Sequence, residues 1–198
     1  RFVNPGPTPI QKTHEGATRS AWLDLEDMAP DLVAAVILSE DARFFDHEGF
    51  DTLEVSNAVR DAVFDGKRLR GASTLTQQLA KNLFSMHERT LWRKGREAYY
   101  TILLELLLGK ARILELYLNV AQFGPREFGV EAGARRHFGT SARRLSRAQA
   151  AEMAALLPAP SRGLKGAPHS ERARRVMRRL NGPGGHVVRA RLSALGLR

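Results

Sequence analysis

Along most of the chain the apolar positions recur at helical spacing, not at the alternation of a strand. The most continuous run is Leu32-Val33-Ala34-Ala35-Val36-Ile37-Leu38, apolar on every side, which predicts a helix buried all round. Pro30 suits its first turn, where the missing N–H would be an orphan anyway. The run stops at Glu40-Asp41, and a polar stretch through Phe44, Phe45, His47 and Gly49 follows. Asp51 can cap a helix from about Thr52 to Phe64, with apolar residues at Leu53, Val55, Val59 and Phe64. Ser73 or Thr74 can cap the next, in which Leu75, Leu79 and Leu83 recur at i, i+4 and i+8. Gln77, Gln78 and Lys81 share another face of it. A longer helix is predicted from about Thr90 to Leu108, with Tyr99, Ile102, Leu103 and Leu106 as its apolar stripe. Arg93, Lys94 and Glu97 gather on one side of that helix.

Helix continues from Ala111 to Asn119, with Ile113, Leu116 and Tyr117 inward, until Phe123-Gly124-Pro125 breaks it. Phe128 to Phe138 reads as a short helix stopped by Gly139. Ser146-Arg147-Ala148-Gln149 has capping-box spacing and opens an Ala-rich helix ending before Pro158. Ser170 caps a last, Arg-rich helix to Leu180, closed by Asn181-Gly182-Pro183-Gly184-Gly185. No convincing strand pair and no internal repeat appear. The pattern predicts a mainly α protein, a single domain over 1–198. It has an extended lead-in at 1–19, a helical region at 20–180 and a basic tail at 181–198.

Composition narrows the partners. Lys and Arg number 31 against 21 Asp and Glu, with a pI near 10.8, so an anionic partner is expected: nucleic acid, an anionic membrane surface or a phosphorylated substrate. There is no cysteine, which excludes a disulfide framework and a thiolate metal site. No run approaches the roughly 20 apolar residues of a membrane span. The chain opens at Arg1, and an N-terminal anchor is expected outside it.

Glu40 stands where a buried helix meets a polar loop, held rigidly yet within reach of a cleft, as a general acid or base must be. Two classes of function compete for the remaining residues. Residues 73–81 pass for one helix of a helix-turn-helix unit, and the charge agrees. That reading leaves Glu40 and Glu97 unused and finds no clear companion helix. The other is an enzyme acting on a sugar joined to a phosphate. Separated carboxylates serve glycosidic chemistry, and Lys, Arg, Ser, Thr and Gln suit a pyrophosphate.

Five stretches, taken together and in order, resemble the glycosyltransferase domain of peptidoglycan polymerases: the monofunctional biosynthetic transglycosylases and the N-terminal domains of class A penicillin-binding proteins. They are Glu40-Asp41 with Phe44, His47 and Gly49; Gly71 to Asn82, containing Ser73-Thr74-Leu75-Thr76-Gln77-Gln78; Arg89-Thr90 with Arg93-Lys94-Gly95-Arg96-Glu97; Lys110 to Asn119; and Phe128 to Gly139. The likeness spans roughly residues 20–180 and is specific as a set. Pro125-Arg126-Glu127 departs from the small Gly-containing turn of many members, which touches acceptor-side loop details.

The resemblance implies a lysozyme-like helical fold with a larger head lobe and a smaller membrane-proximal jaw lobe. It implies polymerisation of lipid II into β-1,4 glycan with inversion and release of undecaprenyl pyrophosphate. Glu40 would be the general base, and Glu97 would assist the leaving pyrophosphate. Ser73, Thr74, Thr76, Gln77, Gln78, Lys81, Asn82, Arg89, Arg93 and Lys94 would bind substrate, with Asp41, Phe44 and His47 as structural support. A divalent cation (Mg, Mn or Ca) near Glu97 would accompany the pyrophosphate. Expected partners are lipid II, the growing strand, an anionic membrane surface and cell-wall synthesis or division proteins, with no nucleic acid. The expected location is the extracytoplasmic, periplasmic face of a bacterial cytoplasmic membrane. The rival within the fold is a lysozyme-like hydrolase, against which the basic, Gln-rich stretches argue. Within this chain a transpeptidase domain is excluded, because no Ser-x-x-Lys occurs in it.

Overall fold

The apolar run at 32–38 is the helix on which others are layered. A computed structural model describes residues 3–19, 21–64, 66, 73–84, 91–164 and 167–197. Its elements are α1 (Pro9–Thr13), β1 (Thr18–Arg19), α2 (Pro30–Glu40), α3 (Thr52–Phe64), α4 (Leu75–Phe84) and α5 (Leu91–Leu107). They continue with α6 (Lys110–Val120), β2 (Glu127–Phe128), α7 (Val130–Phe138), α8 (Arg147–Leu156), α9 (Ala167–Asn181) and α10 (Pro183–Ala194).

From Leu32 to Ile37 every residue of α2 is fully buried. The all-apolar sequence makes this possible, since no face needs water. Helices α8, α9 and α10 pack around α2, while α4 packs against α5 and α6. Leu75, Leu79, Ile113, Leu114 and Leu118 join both groups into one core with α2. Replacing Leu32 or Ile37 by Ala would cost about 2–5 kcal/mol.

Several predicted ends hold because a named group satisfies an orphan amide. Asp51 Oδ1 accepts the Glu54 N–H at 2.9 Å and starts α3. Ser146 and Gln149 form the capping box of α8. Gly139 ends α7 in the left-handed conformation at φ 64°.

Five expectations need correction. The segment at 1–19 is not wholly extended: Thr8 and Gln11, both buried, form a capping box that starts α1. Thr18–Arg19 pairs in parallel with Glu127–Phe128, a strand contact too short to show as alternation. The Asn181–Gly185 stretch is a joint, not a stop. Gly182 precedes Pro183 at the first turn of α10, the position where proline is favoured. Val188 and Leu192 of α10 are buried, so the basic tail is a helix packed on α2 and α9. Ser170 lies inside α9, which begins at Ala167.

The fifth correction concerns facing. On α5 the predicted stripe is turned outward: Tyr99, Ile102 and Leu106 are exposed, and Leu106 is 75 % so. The buried face carries Glu97, Thr101 and Leu104. On α3, Leu53, Val55, Val59 and Phe64 are also exposed. Spacing identifies a stripe but not its side, when the other face buries polar groups that find partners. Among the described residues no helix is long and apolar enough to cross a membrane.

Candidate active site

Glu40 is the last residue of α2 and Asp41 its C-cap, so both side chains stand on the most deeply buried helix. Two clefts meet at Glu40. One, of about 400 Å³, is bounded by Ser39, Ser73, Gln78, Arg172, Arg175 and Arg179. The other, of about 320 Å³, lies on the side of Arg43, Asp51, Glu54 and Thr74, and Arg179 borders both.

The Glu40 carboxylate receives the Ser39 hydroxyl at 3.1 Å on Oε1 and the Gln78 Nε2 at 3.3 Å on Oε2. Burial raises its pKa above the ordinary carboxylate value. The donors from Gln78 and Ser39 and the charge of Arg172 oppose the rise, and Asp41 adds to it. The result is a carboxylate still suited to ionise, but a stronger base than an exposed one.

Asp41 is buried and fully engaged. Its Oδ1 accepts His47 Nε2 and its Oδ2 accepts the Leu75 N–H, each at 2.9 Å. The Thr74 hydroxyl donates to the Gly49 carbonyl at 2.6 Å. Gly49 has φ 85°, and a Cβ there would stand 2.7 Å from Thr101 Cγ2, so both backbone and space require glycine. Lys110 Nζ donates to the His47 carbonyl at 2.6 Å and to Glu105 at 2.8 Å, and lies 4.5 Å from the centre of the Phe44 ring. By sequence Glu105 is expected to be a helix-face charge. In the fold it accepts the Thr76 hydroxyl at 2.6 Å and ties α4 to α5.

The sequence-predicted residues therefore divide. Glu40, Ser73 and Gln78 share a cleft wall. Lys81 follows Gln78 by one helical turn and is exposed, and Asn82 beside it is half-buried. Thr74 and Thr76 are buried, and their hydroxyls are spent on Gly49 and Glu105. Gln77 Oε1 accepts the Thr74 N–H at 2.9 Å, and Thr74 Oγ1 accepts the Gln77 N–H, a reciprocal cap of α4. Arg89 lies outside the described residues. Glu97 is buried on α5 and pairs with Arg93 and, at 3.2 Å, with Lys94. None of these three borders the two clefts at Glu40.

The set near Glu97 does not fit a metal held by the protein alone. Among the described residues it offers one carboxylate, already answered by two cations. Elsewhere Asp41, His47 and Asp51 bring ligand atoms within 4.8 Å of one another. Asp41 is committed to His47 and Leu75, and Asp51 to Arg43 and Glu54.

Two groups escaped the sequence reading. Arg172, Arg175 and Arg179 form a cationic stripe of α9 along the larger cleft. Their i, i+3, i+7 spacing could have marked it, but so many arginines surround them that no face stands out. Arg179 also donates to the Leu38 carbonyl at 2.5 Å, at the C-terminal end of α2. Tyr117, read only as an inward apolar position, donates its hydroxyl to Gln78 Oε1 at 2.8 Å.

Comparison with known proteins shows the family. Residues 7–181 match the family model described as Transglycosylase. The chain is 45 % identical over 150 residues to the biosynthetic peptidoglycan transglycosylase of Nitrosospira multiformis, an alignment covering 76 % of this chain and 65 % of that protein. It is 47 % identical over 156 residues to the protein so named from Shewanella oneidensis, covering 79 % of this chain and 64 % of the relative. With the Pseudomonas putida protein of that name it shares 44 % identity over 188 residues, 92 % of this chain and 76 % of the relative. The chain thus spans just under two thirds of the length of the first two. With a match over most of its length, a helical, lysozyme-like fold and Glu40 at the meeting of two clefts, the chain belongs to the transglycosylase family.

Proposed function

We propose that this chain is a peptidoglycan glycosyltransferase that polymerises lipid II into β-1,4 glycan strands. The observation that carries the reading is Glu40 between two clefts, half-buried and made more basic by burial, beside three arginines of α9. One cleft would hold the sugar whose 4-hydroxyl attacks, and the other the sugar whose anomeric carbon is attacked. Glu40 takes the proton of the attacking hydroxyl as the new bond forms. The bond to the lipid pyrophosphate breaks on the opposite face, and the configuration inverts.

The departing pyrophosphate gains negative charge, which fixed cations stabilise. Arg172, Arg175 and Arg179 supply that field along the cleft, with Lys81 near Gln78. Arg93 and Lys94 offset Glu97, so its cluster is net positive toward an anion. A divalent cation would arrive with the pyrophosphate, near Glu97. A hydrolase of the same fold has no phosphate to hold and no use for this stripe.

A lipid-linked substrate requires contact with a membrane. The outward stripes of α3 and α5 supply apolar area, and the net charge of +10 suits anionic headgroups. The site of action is then the extracytoplasmic face of the cell envelope, beside other cell-wall synthesis proteins.

The test is polymerisation of purified lipid II with and without added divalent ion, beside Glu40→Gln. Long glycan from the wild type alone is the expected result. Release of short sugars from finished glycan, with lipid II left intact, would replace this reading by hydrolysis.

A further inference from the structure

Gln78 touches Glu40 through only one end of its amide, and the other end is held from below. Its Oε1 accepts the Tyr117 hydroxyl at 2.8 Å, while its Nε2 donates to Glu40 Oε2 at 3.3 Å. Tyr117 sits on α6 and is 1 % exposed; Gln78 sits on α4, which packs on α6. We propose that Tyr117 is a positioning residue for the reaction, locking the Gln78 carboxamide so that its N–H, and not its oxygen, faces the Glu40 carboxylate. The inference rests on Glu40 being the base.

A carboxylate only accepts, so an amide beside it must offer nitrogen. A flipped Gln78 would set two oxygens about 3.3 Å apart and lose that hydrogen bond. The phenol disfavours the flip from the opposite side, because its proton points at Gln78 Oε1. The proton stays on the phenol: burial, and then the negative charges of Glu40 and Asp41, push the Tyr117 pKa well above its ordinary value. Tyr117 is therefore a fixed donor throughout the range in which Glu40 titrates. Ser39, the other donor to Glu40, is a neighbour in sequence whose hydroxyl rotates freely about its own bond. Gln78 is the donor whose direction the fold controls, and Tyr117 is the group that controls it.

The consequence is specific. In Tyr117→Phe the ring still fills its place, but Gln78 Oε1 loses its donor and the amide is free to turn. Glu40 then loses its oriented donor, and its pKa rises further. Carbon-13 carboxylate NMR of the full chain, with Glu40 assigned by its absence in Glu40→Gln, reads this directly. The Glu40 signal in Tyr117→Phe is expected to titrate about half a pH unit or more above the wild type. The acid limb of kcat for lipid II polymerisation should move upward with it, with KM changed by less than about twofold. Gln78→Met should produce the same shift, and adding Tyr117→Phe to it should produce no more. A folded Tyr117→Phe whose Glu40 titrates as in the wild type would overturn the proposal. Should Tyr117→Phe not fold, a Gln78→Met protein with unshifted Glu40 would overturn it equally. Polymerisation by Glu40→Gln would remove the base reading and this one together. An unshifted titration with inactive Glu40→Gln would remove this one alone.

Discussion

The Asp41 carboxylate accepts the Leu75 backbone N–H at 2.9 Å, across 34 residues of sequence. The residue next to Glu40 thereby holds the first turn of the helix that carries Gln78. A carboxylate at a helix N-terminus also meets the positive end of the helix dipole. The other oxygen of Asp41 holds His47, whose carbonyl in turn receives Lys110. The loop between α2 and α3 is thus tied to α4 and α6 before substrate arrives. Asp41→Asn keeps the size but turns an N–H toward one of the two donors. It is expected to lower stability by about 1–3 kcal/mol and to lower kcat more than it raises KM. Urea unfolding and initial rates measure both, and an Asn variant equal to the wild type in both would sink this account.

Much of this arrangement was legible because the relevant signals are local. The all-apolar 32–38 run, the Asp51 cap, the Ser146 box and the Gly139 stop each depend on neighbours within one or two turns. Glu40 and Gln78 could be selected for the same reason: Glu40 ends a clear apolar run, and Gln78 stands off the leucine stripe of its helix. What stayed hidden depends on contacts distant in sequence. Thr76 and Glu105 carry no mark that they will meet in the interior. Nor does Tyr117 announce that it will use its hydroxyl. The facing of α5 was misread because paired polar groups, Glu97 and Thr101 among them, took the interior and left Tyr99 and Leu106 outside.

Burial raises the folded-state pKa of Glu40, and the sign of its effect on stability follows. A carboxyl with a higher pKa folded than unfolded favours the native state while protonated. That advantage is lost as pH rises through the unfolded value of about 4.5 toward the raised folded one. At neutral pH the ionised group opposes folding. Glu40→Gln should therefore raise the melting temperature at pH 7 by about 1–3 °C and lose that advantage below pH 4. Calorimetry at both pH values checks the sign. A Gln variant that is less stable at pH 7 would show that the donors from Gln78 and Ser39 outweigh burial.

The outward faces of α3 and α5 expose Val59, Val63, Phe64, Tyr99, Ile102, Leu106 and Leu107, with Phe64 80 % exposed. Such faces are costly in water and suit the headgroup boundary of a bilayer. Leu106→Ser with Leu107→Ser should leave the melting temperature nearly unchanged, because neither side chain is in the core. The pair should weaken sedimentation with vesicles of anionic lipid about thirtyfold or more, since each removes roughly 1 kcal/mol or more of apolar transfer. Raising salt should weaken wild-type binding as well. Binding that ignores both changes would place the membrane contact elsewhere.

The arginines of α9 separate a pyrophosphate-handling enzyme from a glycan hydrolase. Arg172 and Arg175 border the larger cleft with Glu40, and the structure gives Arg172 an electrostatic pull on the Glu40 carboxyl. A charge-assisted hydrogen bond to phosphate contributes about 1.5–3 kcal/mol, so losing one should raise KM for lipid II by roughly ten- to a hundredfold. Arg172→Ala should act twice, because it also lets the Glu40 pKa rise and moves the acid limb of kcat upward. Arg175→Ala should raise KM and lower kcat but leave the acid limb where it is. Arg179→Ala should add a loss of stability of about 1 kcal/mol, since its guanidinium binds the Leu38 carbonyl at the end of α2. Binding of a neutral glycan fragment without pyrophosphate, followed by titration calorimetry, supplies the contrast. If the stripe serves phosphate, Arg175→Ala leaves that binding unchanged. An equal loss for both ligands would mean that these arginines hold sugar, and the case for a pyrophosphate leaving group would have to rest on Arg93 and Lys94 instead.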